Sequence, residues 1–205
     1  ITTSFKTRLN IPRYLRIAMF GGSINPIGTI DQIVQMADRA RREGILGLEK
    51  DLSTIREPFF HKATQLIVDG TEMTVLTSTL ETEIANIEER HKNGMVLFNK
   101  MGGFSPTLGI IGTVLGLIHT LANTSDASKM ASSIASAFIA TLWGVSLANL
   151  LYLPIADKLK FRHDEEMLYF GLILEGATAI QSGENPRMIR EKLMSFIHPE
   201  RRTEK

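Results

Sequence analysis

The chain has 205 residues, with 23 Lys plus Arg against 22 Asp plus Glu and a formal net charge of +1. No surplus of positive charge points to nucleic acid as a partner. The absence of cysteine excludes a disulfide framework, a thiolate metal site and a catalytic thiol, and the length fits one ordinary domain or a membrane hairpin carrying a soluble part.

In chain order, residues 1 to 28 mix Lys6, Arg8, Arg13 and Arg16 with apolar positions and with Gly21-Gly22, Asn25-Pro26 and Gly28. They read as an exit from a membrane surface followed by a turn. The opening Ile1-Thr2-Thr3-Ser4-Phe5 has no signal-peptide apolar core and is expected to start mid-protein, after a membrane segment that lies outside this chain. Thr29 with Gln32 offers a capping box, and Ile30, Ile33, Val34 and Ala37 form an apolar helical stripe ending near Gly44. A second short helix is predicted from about Leu46 to Arg56, closed by Pro58.

Phe59, Ala63, Leu66 and Ile67 carry an amphipathic pattern into Gly70. Thr71 then opens a much longer helix with Met73, Leu76, Leu80, Ile84 and Ile87 on one face. Its other face, with Glu81, Glu83, Glu88, Glu89 and Arg90, reads as solvated surface rather than a binding surface.

The mean hydropathy of +0.03 hides a segregated sequence. Residues 101–125 and 130–156 contain no Asp, Glu, Lys or Arg, and each run exceeds the roughly 20 residues that a helix needs to cross a bilayer. Two spans, about 104–124 and 131–156, therefore form a hairpin whose tip is Asp126, Ala127, Ser128 and Lys129. Lys92 and Lys100 precede it, and Lys158, Lys160 and Arg162 follow, which predicts both outer ends on the cytoplasmic side. The expected organisation is a cytoplasmic helical region (1–100), a transmembrane hairpin (101–156) and C-terminal cytoplasmic helices (157–205). In the last part Leu168 to Ile180 runs into Gly183, and Asn185-Pro186 caps a final helix that ends before Pro199. No strand-like alternation, phosphate loop or internal repeat is visible, so the predicted class is all-α.

Association of helices in lipid depends on small residues and on polar groups. Ser132, Ser136, Ala140, Gly144 and Ala148 fall four apart as a ridge of small side chains beside bulky Ile134, Phe138 and Leu142. The first span offers Gly109, Gly112 and Gly116. Packing within the hairpin and a surface for partner subunits both explain this pattern. Thr113, His119, Thr120, Thr141, Ser146 and Asn149 are polar positions inside the spans, and none is a carboxylate. A partner must supply the cation-binding group if ions pass here.

His119 is the one ionisable side chain within the spans, explained either by ion transfer or by a neutral imidazole bonded to a neighbour. Thr113 and Thr141 can each bond back to their own helix. Pro106 fits a helix start, whereas Pro154 lies inside a helical pattern and should free a carbonyl near Leu150 and kink the chain. The histidines show no paired metal-ligand spacing and no nucleophile-base motif stands out, so neither a metal nor an enzyme is expected.

The segments Gly109-Ile-Ile-Gly-Thr-Val-Leu-Gly-Leu-Ile-His119, Ala140-Thr-Leu-Trp-Gly144 and Ala148-Asn-Leu-Leu-Tyr-Leu-Pro-Ile-Ala-Asp-Lys-Leu159 resemble the last two membrane helices of the MotA family of flagellar stator subunits. The likeness extends through Ala37-Asp-Arg-Ala-Arg-Arg-Glu-Gly-Ile-Leu-Gly-Leu-Glu49, Ile67-Val-Asp-Gly70, Glu89-Arg-His91 and Ala179-Ile-Gln-Ser-Gly-Glu-Asn-Pro-Arg187. It implies a bacterial inner-membrane protein in which several copies, five in the family picture, surround a pair of MotB helices whose aspartate binds the ion. The cytoplasmic part would push on the rotor protein FliG. The family has four membrane helices and this sequence matches the last two.

By resemblance, Arg41 and Glu49 match the charged pair used against the rotor, with Arg42 as a register competitor for Arg41. Pro106 and Pro154 match prolines linked to conformational coupling, and Thr113 and Thr141 match positions along the ion path. Thr113 is associated with sodium-type members and His119 with proton-type ones, and the coupling ion leans to H+ over Na+. The nearest rival is a TolQ or ExbB type energy-transducing subunit, separable by a motility defect without growth or envelope defects. A soluble helical scaffold would require both uncharged runs to be buried core helices.

Overall fold

The computed structural model describes residues 11–20, 24–122 and 127–199. Among them the regular elements are all helical, as the periodicity predicts: α1 (Ile11–Phe20), α2 (Pro26–Glu43), a 3-10 turn (Ile45–Leu48), α3 (Glu49–Leu52), α4 (Pro58–Val68), α5 (Met73–Ala122), α6 (Ala127–Leu147), a π-helical turn (Ala148–Tyr152), α7 (Leu153–Gln181) and α8 (Pro186–Met194). Two compact units divide the chain. One takes its residues from Ile1–Gly21 and Arg90–Arg162, the other from Gly22–Glu89 and His163–Lys205. The expected tip residue Asp126 and the Gly21-Gly22 pair lie outside the described residues.

In the unit containing α2, three helices begin on a proline preceded by a side chain that accepts hydrogen bonds. Asn25 takes the N–H of Gly28 at 3.0 Å ahead of Pro26. Glu57 takes the N–H groups of Phe59 at 3.1 Å and Phe60 at 2.5 Å ahead of Pro58. Asn185 takes the N–H of Arg187 at 3.0 Å ahead of Pro186. Proline has the right φ and no N–H to orphan, so cap and proline together fix each start. This moves the start of α2 one turn earlier than the Thr29 capping box predicts. Thr29 is instead buried in the first turn, its Oγ1 3.2 Å from Asn25 O and 3.0 Å from the Tyr169 hydroxyl.

The stripes predicted for α2, α4 and α5 meet in one core. Ile30, Ile33, Ala37, Phe59, Ala63, Ile67, Leu76, Leu80 and Ile87 are buried, with Leu172, Ile173, Ile180, Ile189 and Leu193 arriving from α7 and α8. Val34, Leu66 and Ile84 pack at its edge, and the rings of Phe59 and Phe170 lie 4.7 Å apart, tilted by 46°. Each fully buried Leu or Ile contributes about 1.5–3 kcal/mol, so this core is the main source of the unit's stability. The predicted helix from Leu46 to Arg56 is shorter than expected, because Ile45–Leu48 winds as a 3-10 turn and α3 ends at Leu52. Ser53 and Thr54 then turn their hydroxyls onto the carbonyls of Lys50 and Asp51, a local alternative to continuing the helix.

Burial pushes the Tyr169 phenol above its ordinary value of 10.0, opposed by the Thr29 hydrogen bond and aided by the negative charge of Glu57. A raised folded-state value means that the neutral phenol is the form the fold favours. Its contribution is therefore complete below about pH 10 and is lost as pH rises through the folded value. Thermal melts of the purified protein should fall more steeply above pH 10 than those of Tyr169→Phe, which itself should cost about 1 kcal/mol at neutral pH. Superimposable alkaline limbs for the two proteins would exclude this linkage.

In the other unit, residues 11–20 of the segment read as an exit and a turn form the helix α1. Ile11, Tyr14, Leu15 and Ala18 recur at helical spacing, and Ala18 is buried with Phe98, Ala156 and Leu159. The Tyr14 ring lies where a side chain on Gly94 would otherwise stand, with Cε1 2.9 Å from that Cβ position. The pattern was present in the sequence, but Pro12 and the scattered arginines masked it. Pro12 sits in the first turn, where proline is tolerated.

Candidate functional site

Helix α5 runs unbroken from Met73 to Ala122, so Pro106 is an interior residue of a helix and not its first turn. A helix start is the expectation there because the N–H that proline lacks costs little in a first turn. The chain stays helical on both sides, leaving the carbonyl of Gly102 without its usual donor. Pro106, Gly109, Thr113, Gly116 and Thr120 recur at alternating intervals of three and four, which puts them on one stripe of α5.

That stripe faces α6 at backbone distance. A Cβ placed on Gly109 would stand 2.8 Å from Ala140 O and 3.1 Å from Thr141 Cα. One on Gly116 would stand 2.8 Å from Ala137 Cβ, and one on Gly144 would stand 2.7 Å from Ser105 O and 2.9 Å from Gly109 Cα. No side chain fits at Gly109 or Gly144 without parting the helices. The contact on α6 is made by Ala137, Ala140, Thr141 and Gly144, continuing to buried Ala148. Of the predicted ridge, Ala140, Gly144 and Ala148 lie on this side of α6, while Ser132 and Ser136 are exposed. Residues four apart advance by roughly 40° per step beyond a full turn, so a strict ridge of that kind winds off the contact face.

Thr113 and Thr141 meet between the two helices. Thr113 Oγ1 lies 2.9 Å from Ala137 O and 3.2 Å from Gly109 O, Thr141 Oγ1 lies 3.4 Å from Gly109 O, and the two hydroxyls hydrogen-bond to each other. Each hydroxyl has one proton and the carbonyls only accept. Thr113 donating to Ala137 O leaves Thr141 to donate to Thr113 or to Gly109 O, so the pair stitches α5 to α6. The expected bond of each threonine back to its own helix holds for Thr113, whereas Thr141 reaches across. Four oxygens thus gather at one level: two hydroxyls, and the carbonyls of Gly109 and Ala137. Sequence reasoning missed both carbonyls, since the residues that carry them have no chemistry of their own.

His119 is exposed on α5, six residues beyond Thr113. Helix geometry puts it about 9 Å further along and roughly 120° round, off the stripe that holds the threonines. Thr120 is buried and returns its hydroxyl to Gly116 O at 2.8 Å, and Asn149 donates to Val145 O at 2.9 Å. Both have found partners within their own helices.

Pro154 lies two residues beyond the end of the π-helical turn Ala148–Tyr152, whose first carbonyl accepts the N–H of Leu153. The freed carbonyl predicted at Leu150 is in that turn. Instead of a simple break, the backbone widens by one residue per turn ahead of the proline.

Outside this contact the hairpin is apolar and uncovered: Leu108, Leu115 and Ile118 on α5, and Phe138, Leu142 and Trp143 on α6, are each at least 59% exposed. Both long helices are apolar enough to cross a membrane. A continuous exposed face of this kind belongs in lipid or against other subunits, and it excludes the reading in which both runs are core helices of a soluble scaffold.

In the other unit, Arg41 at the end of α2 and Glu49 at the start of α3 are exposed. Their neighbours are paired: Arg39 with Asp51 at 2.5 Å, Arg42 with Asp38 at 2.9 Å and Lys50 with Glu43 at 3.9 Å. Arg42 is thereby drawn into its own helix. Among the described residues Arg41 and Glu49 make no ion pair, leaving one cation and one anion turned to solvent around the same turn.

An all-helical protein with an acid-free, lipid-facing hairpin and a separate helical unit is an integral-membrane channel subunit in build. The model of the MotA/TolQ/ExbB proton channel family matches residues 51–171, and the chain belongs to this family, which is a channel family and not an enzyme class. Motility protein A of Borreliella burgdorferi is 38% identical over 194 residues, covering 95% of this chain and 75% of that protein. The chemotaxis protein PomA of Vibrio alginolyticus is 40% identical over 177 residues, covering 86% and 69%. Among solved structures, C. jejuni MotAB matches with a TM-score of 0.91 at 30% identity over 97% of this chain and 78% of that one. The flagellar MotAB stator complex of Bacillus subtilis matches with a TM-score of 0.90 at 28% identity over the same shares.

Proposed function

We propose that this chain is a stator subunit of a bacterial flagellar motor, resident in the inner membrane, which forms an ion-conducting complex with a MotB-like partner and converts ion flow into torque on the rotor. The observation that carries it is a membrane hairpin that offers hydroxyl and carbonyl oxygens at Thr113, Thr141, Gly109 and Ala137 but no acid. Such a wall can guide a cation and cannot bind and release it alone, so a companion helix supplies the titrating carboxylate. Similarity to Motility protein A, to PomA and to MotAB complexes supports the same division of labour.

In this reading copies of the chain form a ring, five in number, around the MotB-like helices, with the basic flanks Lys92, Lys100, Lys158, Lys160 and Arg162 holding both outer ends of the hairpin in the cytoplasm. Thr113 and Thr141 line the ion path, His119 serves either that path or local structure, and Pro106 and Pro154 are the places where the helices yield as the ion moves. H+ is the favoured coupling ion over Na+. Motility of a deletion strain complemented with the full-length gene, measured with and without sodium, tests process and ion together. Restored swimming that is indifferent to sodium is the expected result. Unimpaired swimming of the deletion strain together with envelope or growth defects would assign the chain to the TolQ or ExbB branch.

Arg41 and Glu49 are the contacts with the rotor protein FliG, because they are the charges of their segment left unpaired at its surface. Glu49→Lys should weaken engagement roughly tenfold, equivalent to about 1.4 kcal/mol, with membrane level and assembly unchanged. Stall torque in tethered-bead recordings is the measurement, and wild-type torque would remove Glu49 from the contact.

A further inference from the structure

Leu97, Met101, Phe104 and Leu108 recur at intervals of four, three and four, a stripe of α5 set about 100° round from the one that packs on α6. With Tyr152, from the end of the π-helical turn, they wall a groove of about 330 Å³ that lies wholly within the unit holding the hairpin. Gly102 makes the approach of Tyr152 possible. A Cβ there would stand 2.5 Å from Leu153 Cδ2, so the missing side chain lets the second helix come close at this level.

Polarity is ordered along the groove. Lys100 is the last charged residue before the run 101–125, and Tyr152 lies one turn inside the end of the run 130–156, so an ammonium and a phenol border the groove where the hairpin leaves the bilayer. Phe104 and Leu108 stand roughly 6 and 12 Å further along α5 and are exposed. A cationic end and an apolar end at this spacing match an amphiphile standing upright in one leaflet. Spread over that length, the groove is roughly 5 Å across. A hydrocarbon chain, whose carbons touch at about 4 Å, lies along such a groove, whereas a helix about 10–12 Å wide can only bridge it.

We propose that this groove holds one phospholipid with an anionic headgroup, its phosphate on Lys100 and the Tyr152 hydroxyl and one acyl chain along Met101, Phe104 and Leu108. The inference rests on the topology proposed above, which makes the bound lipid one of the cytoplasmic leaflet. Charge complementarity selects the headgroup, because the lining residues bring one cation and no carboxylate. Lys158, Lys160 and Arg162 flank the second span and enrich anionic lipid around the hairpin's outer ends. Enrichment alone holds no particular molecule; the groove does.

The test uses the full-length protein with its membrane partner, in nanodiscs of equal phosphatidylcholine and phosphatidylglycerol, with the lipid retained after extraction counted by native mass spectrometry. Phosphatidylglycerol should be kept in preference to phosphatidylcholine. Lys100→Gln should cut that preference roughly fivefold, the worth of one basic residue at a membrane surface, and Lys100→Arg should keep it. Leu108→Trp, which fills the apolar end, should lower retention of both lipids, and Lys92→Gln, on the same helix but outside the groove, should change nothing. An equal loss in Lys92→Gln, or no loss in Lys100→Gln, would assign the effect to the basic flank as a whole and overturn the site. Photo-cross-linking from p-benzoylphenylalanine at position 104 to a protein subunit instead of lipid would give the groove to a neighbouring helix and overturn it as well. Labelling of Lys158→Cys by an impermeant thiol reagent at the outer face of spheroplasts would overturn the topology and the leaflet with it. Labelling only in inverted vesicles, without a lipid preference, would overturn the lipid site and leave the topology standing.

Discussion

Pro154→Ala is expected to stop ion-driven motion while leaving insertion and assembly intact. The proline has no N–H to return to the preceding turn, and the backbone answers by widening into π geometry over Ala148–Tyr152. Alanine restores the donor and removes the ring clash, a gain of about 3 kcal/mol for regular helix at an interior position. That gain turns a yielding segment into a stiff one, which harms a part that must alternate between two shapes. Swimming speed and stall torque should fall below detection, and hydrogen exchange at residues 148–156 should slow. Normal speed at a low ion gradient would show that the widened turn is not used in the power stroke.

The second large effect is expected at Gly144. Its Cβ position lies 2.7 Å from Ser105 O and 2.9 Å from Gly109 Cα, and both obstacles are backbone, so neither can rotate aside. Gly144→Val should therefore part α5 from α6 and break the Thr113–Thr141 link, costing about 3 kcal/mol, the upper range for overpacking. The expected readings are a lowered melting temperature in detergent, little recoverable complex and no motility. Gly103→Ala is the matched control, because a Cβ there meets nothing within 4 Å. An unchanged melt for Gly144→Val would refute the close approach of the two helices.

Much of the fold was open to sequence reasoning because its signals are local. The stripe Ile30, Ile33, Ala37 and the stripe Leu76, Leu80, Ile87 predict which faces are buried, and the buried core contains both. Asn185-Pro186 predicts where the last helix begins, since cap and proline act within one turn. Where local signals conflict, the reading fails. Pro106 reads as a helix start and is helix interior, and residues 11–20 read as an exit and are a helix packed on Phe98. In each case contacts with residues distant in the chain outweigh a local preference.

By itself, the sequence determined that this is an all-helical protein with two charge-free runs long enough to cross a bilayer, and that those runs hold no carboxylate. These properties depend on composition and on period, which a string of residues carries whole. Only the tertiary structure decided that Gly109 and Gly144 meet at backbone distance, that Thr141 bonds across to the other helix, and that Arg41 and Glu49 are left unpaired while Arg39 and Arg42 are not. Distances of a few tenths of an ångström settle such matters, and they depend on which residues the fold brings together from opposite ends of a segment.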